Sequence, residues 1–303
     1  MDRRQFLIGF AAAMIAPQSS AGLVGNNTLP GEHSHIALWN GVPPGGGGPS
    51  GSETLSAKGA LSNITCPSLS VFRPKTPNGQ SVLIAAGGGY KRIEMGSEAW
   101  PAARWLSALG YTAYVLSYRL PDESWRDGNL VSLQDAQRAL RIIRRREKYV
   151  SVLGFSAGGH LLGMAVTRSD FSSYPAGDAL DQTPAYADRA ALIYPVITLE
   201  TPYSHTSTHK LLVGPHATAA ANAQWSVQNF VTATTPRMFL VQAEDDPISD
   251  PHNTLIMAAA CLRERVPVEM YRYSSGGHGF GMGKPGTPTI EWPARYKAWL
   301  RAV

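Results

Sequence analysis

The sequence predicts an α/β fold: a mostly parallel central sheet with helices on both faces. Two observations carry that expectation. Apolar runs of strand length alternate with segments of helical periodicity, and four groups of chemically useful residues fall just after strand-like runs. The chain has 303 residues, of which 44% are hydrophobic and 16% charged. That composition builds a sizeable core and excludes a disordered chain.

Taken in order, a Pro- and Gly-rich loop at residues 43–49 precedes two strand-like runs, 69–72 and 81–86, split by the turn signal Pro77-Asn78-Gly79. Gly87-Gly88-Gly89 breaks the second strand. Residues 97–109 then read as a helix ended by Gly110, and 111–118 as a strand. Residues 133–149 are helical, with Leu133, Ala136, Leu140 and Ile143 on one face. Residues 150–154, 190–197, 237–242 and 268–273 read as strands, and 254–265 and 296–302 as helices. No internal repeat or second domain is visible, so 22–303 is expected to be one domain. The stretch 198–229 breaks the rhythm and is the expected cap or insertion.

The first residues read as an address. Arg3-Arg4-Gln5-Phe6-Leu7 is a twin-arginine pattern, followed by an apolar run over 6–16 and the small residues Ser19-Ser20-Ala21. Residues 1–21 are expected to be an export signal, with a mature chain starting near Gly22 in the periplasm or outside the cell. The run is too short for a membrane span, and no cysteine stands at the cleavage site to carry a lipid, so no stable membrane anchor is expected. Cys66 and Cys261 make no disulfide scaffold, and Cys261, in an apolar helical run, is expected to be a free buried thiol. The net charge is +5. Arg138, Arg141, Arg144, Arg145, Arg146 and Lys148 cluster on one predicted helix and are expected to form a solvated face. Without an aromatic-rich basic stripe, no nucleic-acid partner is expected.

The chemistry centres on Gly154-Phe155-Ser156-Ala157-Gly158, between a strand-like run and a helix-compatible one. A Gly-x-Ser-x-Gly turn of that kind lifts a serine hydroxyl above a sheet edge. A serine needs a base to take its proton. His278, between glycines in Gly276-Gly277-His278-Gly279, is the candidate, and His160, one helical turn past Ser156, is its main rival. The acid that orients such a base is sought in Glu244-Asp245-Asp246-Pro247, at a strand end. The developing oxyanion needs backbone donors: Ala157 N–H after the nucleophile, with Gly88 and Gly89 supplying the others.

Further blocks carry a resemblance. They are Gly87-Gly88-Gly89-Tyr90, Ser117-Tyr118-Arg119-Leu120-Pro121, residues 133–139, residues 154–161, Tyr194-Pro195-Val196, Asp245-Asp246 and Gly276-Gly277-His278-Gly279-Phe280. With these the chain resembles secreted α/β-hydrolases that deacetylate polysaccharides, acetylxylan-esterase-like or xylanase-B-like. The resemblance implies an α/β-hydrolase fold with Ser156 as nucleophile, His278 as base and Asp246 as third member, in the chain order of that fold. It implies structural roles for Asp135 and Arg138. Two departures stand out: Ala86 precedes the glycines where the family often has proline, and the acidic-glycine pair after them appears as Glu98-Ala99.

The activity so implied is a serine carboxylesterase acting on an acetylated carbohydrate, with no metal or organic cofactor. Tyr90, Trp125, Tyr203 and Trp225 are the aromatic rings available for stacking on sugars. The alternatives are an esterase for small aromatic or aliphatic esters, such as feruloyl esters, and a non-catalytic binding protein on the same fold. A peptidase is less expected because no propeller-sized segment precedes the core. A lipase is less expected because 198–229 is too polar for an apolar lid.

Overall fold

The structure is a computed structural model that describes residues 34–302. The twin-arginine pattern and the expected cleavage point lie outside the described residues. The strands are β1 (Ser34–Ala37), β2 (Thr54–Leu55), β3 (Ala60–Ser62), β4 (Ser68–Phe72), β5 (Gln80–Ala85), β6 (Ile93–Glu94), β7 (Thr112–Ser117), β8 (Tyr149–Phe155), β9 (Arg189–Ile193), β10 (Arg237–Ala243) and β11 (Val268–Tyr273). Eight of them form one sheet in the order β1-β4-β7-β5-β8-β9-β10-β11, and β2, β3 and β6 form a small antiparallel one. In the main sheet only the β1–β4 and β4–β7 pairs are antiparallel.

The central strands explain the parallel arrangement. Val82, Leu83, Ile84 and Ala85 on β5, and Val150, Val152, Leu153 and Phe155 on β8, are all fully buried, so both faces of the sheet need a cover. The helices α1 (Trp100–Ala108), α2 (Val131–Arg144), α3 (Ser156–Thr167), α4 (Ser207–Leu212), α5 (Ala219–Gln224), α6 (His252–Arg263) and α7 (Trp292–Arg301) provide it. α1 and α7 meet where the Trp105 and Tyr296 rings stack with centroids 6.2 Å apart, while α2 and α3 pack on each other.

Register then decides what meets at the sheet edge. Ala85 lies opposite Gly154, so the loop that begins at Gly87 and the helix that begins at Ser156 leave the sheet side by side. Phe155 lies opposite Ile193, which brings Tyr194 next to the serine. β10 and β11 follow, with Ala243 opposite Tyr273, and deliver the acidic and histidine loops to the same edge.

Two expectations are corrected. The helix expected over 133–149 ends at Arg144, because Tyr149 already belongs to β8. The arginine cluster is not one solvated face. Arg138 is buried and bonds Asp178 and Asp181 at 2.6 and 2.8 Å, Arg141 bonds the Tyr174 hydroxyl at 3.0 Å, and Arg144 meets Asp188 at 2.6 Å. Only Arg145, Arg146 and Lys148 are exposed. The charges turn inward because the 174–188 segment brings partners that a buried cation requires. Further in, Arg119 and Asp135 form a fully buried pair at 2.9 Å, joined by the Trp39 indole N–H, which donates to Asp135 at 2.8 Å. Cys66 and Cys261 are both free, and burial pushes the Cys261 thiol up to about 12.

Candidate active site

Ser156 opens α3 directly from β8 with a backbone φ of 49°, the left-handed region that L residues avoid. Such strain is stored where a reactive side chain must be held at a fixed angle. The turn closes only because Gly158 has no side chain: a Cβ there would collide with the Ala85 and Ala86 carbonyl oxygens. Gly87 is under a similar constraint, since a Cβ would lie 2.7 Å from the Ser156 Cβ.

Of the sequence-predicted groups, the structure brings Ser156, His278 and Asp246 into one line. Ser156 Oγ lies 2.8 Å from His278 Nε2, and His278 Nδ1 lies 2.8 Å from Asp246 Oδ2. Asp246 is buried and saturated with donors: Gln242 Nε2 joins His278 at Oδ2, while the Ile248 and Ser249 N–H groups donate to Oδ1 at 2.8 and 2.9 Å. A carboxylate so placed holds the imidazole proton on Nδ1 and leaves Nε2 to accept from the serine hydroxyl. Asp245 instead accepts the Gly277 N–H at 2.7 Å, and Glu244 pairs with Arg272 at 2.5 Å, so neither reaches the imidazole.

His160 is engaged elsewhere. Its Nε2 donates to the Trp225 carbonyl and its Nδ1 accepts from the Tyr90 hydroxyl, each at 2.8 Å. Burial lowers it to about 4, so it is neutral at ordinary pH.

A cavity of about 490 Å³ opens above Ser156 and is shared by Gly88, Gly89, Glu98 and His278. Thr206, Ser207 and Thr208, from the stretch expected to be a cap, close one side of it. Among the described residues no acceptor takes the Gly88 or Gly89 N–H, and Ala157, in the first turn of α3, has no intrahelical acceptor either. Gly88 and Gly89 line the cavity beside Ser156, and Ala157 follows the serine at the start of α3.

The aromatic expectation is corrected. Tyr90, Trp125 and Trp225 are buried in packing contacts, and Tyr203 stacks on His252 with ring centroids 5.4 Å apart. None of the four lines the Ser156 cavity. Two residues at the site had no assigned role from sequence, Glu98 and Tyr194. Glu98 lies in a π-helical turn (Met95–Ala99) ahead of α1, where burial pushes its carboxyl up to about 7. The signal for it was an acidic residue embedded in the apolar start of a predicted helix. Among the described residues no group of three or more His, Cys, Asp or Glu side chains is arranged to hold a metal ion, and no helix is long and apolar enough to cross a membrane.

The model of the prolyl oligopeptidase family matches residues 131–303, more than half of the chain and all three aligned side chains. The chain belongs to the prolyl oligopeptidase family. The chain is 28% identical to an acetylxylan esterase of Xylanibacter ruminicola over 223 residues, 70% of this chain and 43% of that protein. It is 30% identical to endo-1,4-beta-xylanase B of Butyrivibrio fibrisolvens over 211 residues, 65% of this chain and 32% of that protein. It thus spans less than half the length of either relative. Among solved structures, an acetyl ester-xyloside bifunctional hydrolase from Caldicellulosiruptor lactoaceticus matches with a TM-score of 0.72 at 28% identity, over 88% of this chain and 95% of that one. The expected α/β-hydrolase fold and the resemblance to acetylxylan-esterase-like and xylanase-B-like proteins both hold.

Proposed function

We propose that this chain is a serine carboxylesterase that removes O-acetyl groups from a carbohydrate through an acyl-enzyme. The observation that carries the reading is the unbroken line from Asp246 through His278 to Ser156, open to a cavity bordered by free backbone amides. The acetyl group and the sugar enter the reading through the likeness to an acetylxylan esterase and to an acetyl ester-xyloside hydrolase.

In the first half-reaction Ser156 Oγ forms a bond to the acetyl carbonyl carbon while its proton passes to His278 Nε2. The Gly88, Gly89 and Ala157 amides receive the oxyanion, and a preorganised donor of this kind lowers the barrier by on the order of 3 kcal/mol. Collapse breaks the bond to the sugar oxygen, which leaves with the proton from Nε2. In the second half-reaction His278 takes a proton from water as the water oxygen attacks the acetyl-serine, and acetic acid departs as Ser156 recovers a proton from His278; the acid then ionises in solvent. Asp246 stabilises the imidazolium in both halves.

The twin-arginine pattern supports a site of action in the periplasm or outside the cell, where polymeric acetylated carbohydrate is met. Two assays test the reading. Purified protein should release 4-nitrophenol from its acetate ester, and Ser156→Ala should abolish this; equal rates in the two proteins would remove Ser156 from the mechanism. Acetate release from acetylated xylan oligosaccharides should then exceed hydrolysis of methyl ferulate and of a proline-containing peptide amide. The reverse order would assign the site to another acyl class.

A further inference from the structure

Glu98 touches both halves of the candidate site while being only 3% exposed. Its Oε2 accepts the Gly87 N–H at 2.5 Å, and its Oε1 accepts the Tyr194 hydroxyl at 3.0 Å. The Tyr194 oxygen in turn accepts the Gly281 N–H at 3.0 Å, and its ring lies edge-on to His278 with centroids 5.0 Å apart. One side chain therefore bridges the triglycine loop and the histidine loop. The Gly87 carbonyl is held too, by the Glu94 N–H at 3.0 Å. A trans peptide points its C=O and its N–H in opposite directions, so fixing Gly87 at both ends sets where the Gly88 amide aims.

We propose that Glu98, as a carboxylate, is a positioning residue that holds the oxyanion amides and the His278 loop in register across Ser156. The inference rests on the acyl-transfer reading of Ser156 and His278. Both of its hydrogen bonds need an acceptor, which an ionised carboxylate supplies at each oxygen. A proton on Oε2 removes the Gly87 bond, and a proton on Oε1 forces Tyr194 to turn its own O–H away. Four titratable groups face Glu98: Glu94 on its own segment, Tyr118 after β7, Tyr194 after β9, and His278 after β11. Glu94 is itself paired with Arg92 at 2.6 Å. Burial pushes the Glu98 carboxyl up to about 7, against the Gly87 and Tyr194 hydrogen bonds and His278, which favour the anion. Its proton therefore leaves near neutral pH. The departure at Glu98-Ala99 thus acquires a role for its acidic member.

The test is kcat/KM for 4-nitrophenyl acetate against pH in wild type, Glu98→Gln and Tyr194→Phe. In wild type the acid limb of log kcat/KM is expected to reach a slope of about 2, because Glu98 must lose its proton in addition to the one ionisation that general-base catalysis itself requires; in Glu98→Gln the slope is about 1. At pH 8 Glu98→Gln should lower kcat roughly 10- to 100-fold, the cost of a misplaced catalytic frame, with KM within about twofold. Tyr194→Phe keeps the carboxylate and the Gly87 bond, so it should lose less and retain the steeper limb. That variant and the wild-type slope decide the matter if Glu98→Gln does not fold. A wild-type slope of about 1, or a Glu98→Gln enzyme with unchanged kcat, overturns the proposal and leaves the Ser156 reading standing. A wild type without esterase activity, or one indifferent to Ser156→Ala, overturns both.

Discussion

His160 and Tyr90 share a buried hydrogen bond, Tyr90 Oη to His160 Nδ1 at 2.8 Å, that ties helix α3 to the residue after the triglycine. With Nε2 on the Trp225 carbonyl, the imidazole also reaches the segment that follows α5. The ring is shut away from water and has no carboxylate partner among the described residues, so burial disfavours its charged form.

That burial makes stability depend on pH. His160 falls from 6.5 unfolded to about 4 folded, so between these values the unfolded chain binds the extra proton. The contribution is fully present above pH 6.5 and is lost as pH falls through 4, by roughly 3 kcal/mol in all. Glu98 works in the opposite sense, because its raised value makes the folded state the better proton binder between 4.5 and about 7. Urea denaturation of wild type and His160→Gln across pH 4–8 separates the two, since Glu98 is common to both proteins. The wild-type advantage should shrink on acidification; a constant difference would show that His160 does not titrate with folding.

The Arg119–Asp135 pair predicts a different asymmetry. Asp135→Asn leaves a buried guanidinium without its carboxylate and should cost about 3–5 kcal/mol in urea denaturation. The double change Arg119→Met with Asp135→Leu removes both desolvated charges and should recover much of that loss. Recovery stays incomplete because Arg119 also donates to the Pro44 carbonyl and Gln134. A double variant less stable than Asp135→Asn alone would refute this account.

What sequence could and could not reveal follows from the range of each interaction. The elbow at Ser156 and the glycine-flanked His278 are local patterns at strand ends, so they were legible, whereas the choice of Asp246 among three adjacent acids came only with the family resemblance. The resemblance implied a structural role for Arg138 but not its partners, because Asp178 and Asp181 stand in a segment with no periodicity to reveal its path. Glu98 showed only as an acid at an apolar helix start, and its contacts stayed hidden: its partner Tyr194 follows β9, and its burial depends on a π-helical turn that composition does not encode. The stacking role for Tyr90, Trp125, Tyr203 and Trp225 failed for the same reason, since an aromatic ring in sequence does not declare which side of the sheet edge it faces.

Asp245 and Asp246 are adjacent in sequence and differ sharply in role. Asp246→Asn puts an amide N–H against His278 Nδ1, favours the wrong tautomer and should lower kcat by about 10⁴ with little change in KM. Asp245→Ala removes a single bond to the Gly277 N–H, worth about 1 kcal/mol of stability, and should leave kcat within about tenfold. Steady-state kinetics on both variants checks this, and comparable losses in kcat would mean that Asp245 shares the orienting task.

Gly87 offers the sharpest test of the loop geometry. Its missing Cβ would stand 2.7 Å from the Ser156 Cβ and 2.9 Å from the Phe155 carbonyl oxygen, both on the rigid elbow. Gly87→Ala therefore pushes the triglycine loop, and the Gly88 and Gly89 amides with it, away from the nucleophile. A displacement of about 1 Å at a reacting centre costs on the order of 10²-fold in rate, so kcat should drop by about that factor. The backbone at Gly87 is not in the left-handed region, so the fold should survive and the Tm should fall by only a few degrees. A folded Gly87→Ala enzyme with wild-type kcat would mean that the oxyanion is received by the elbow amide alone.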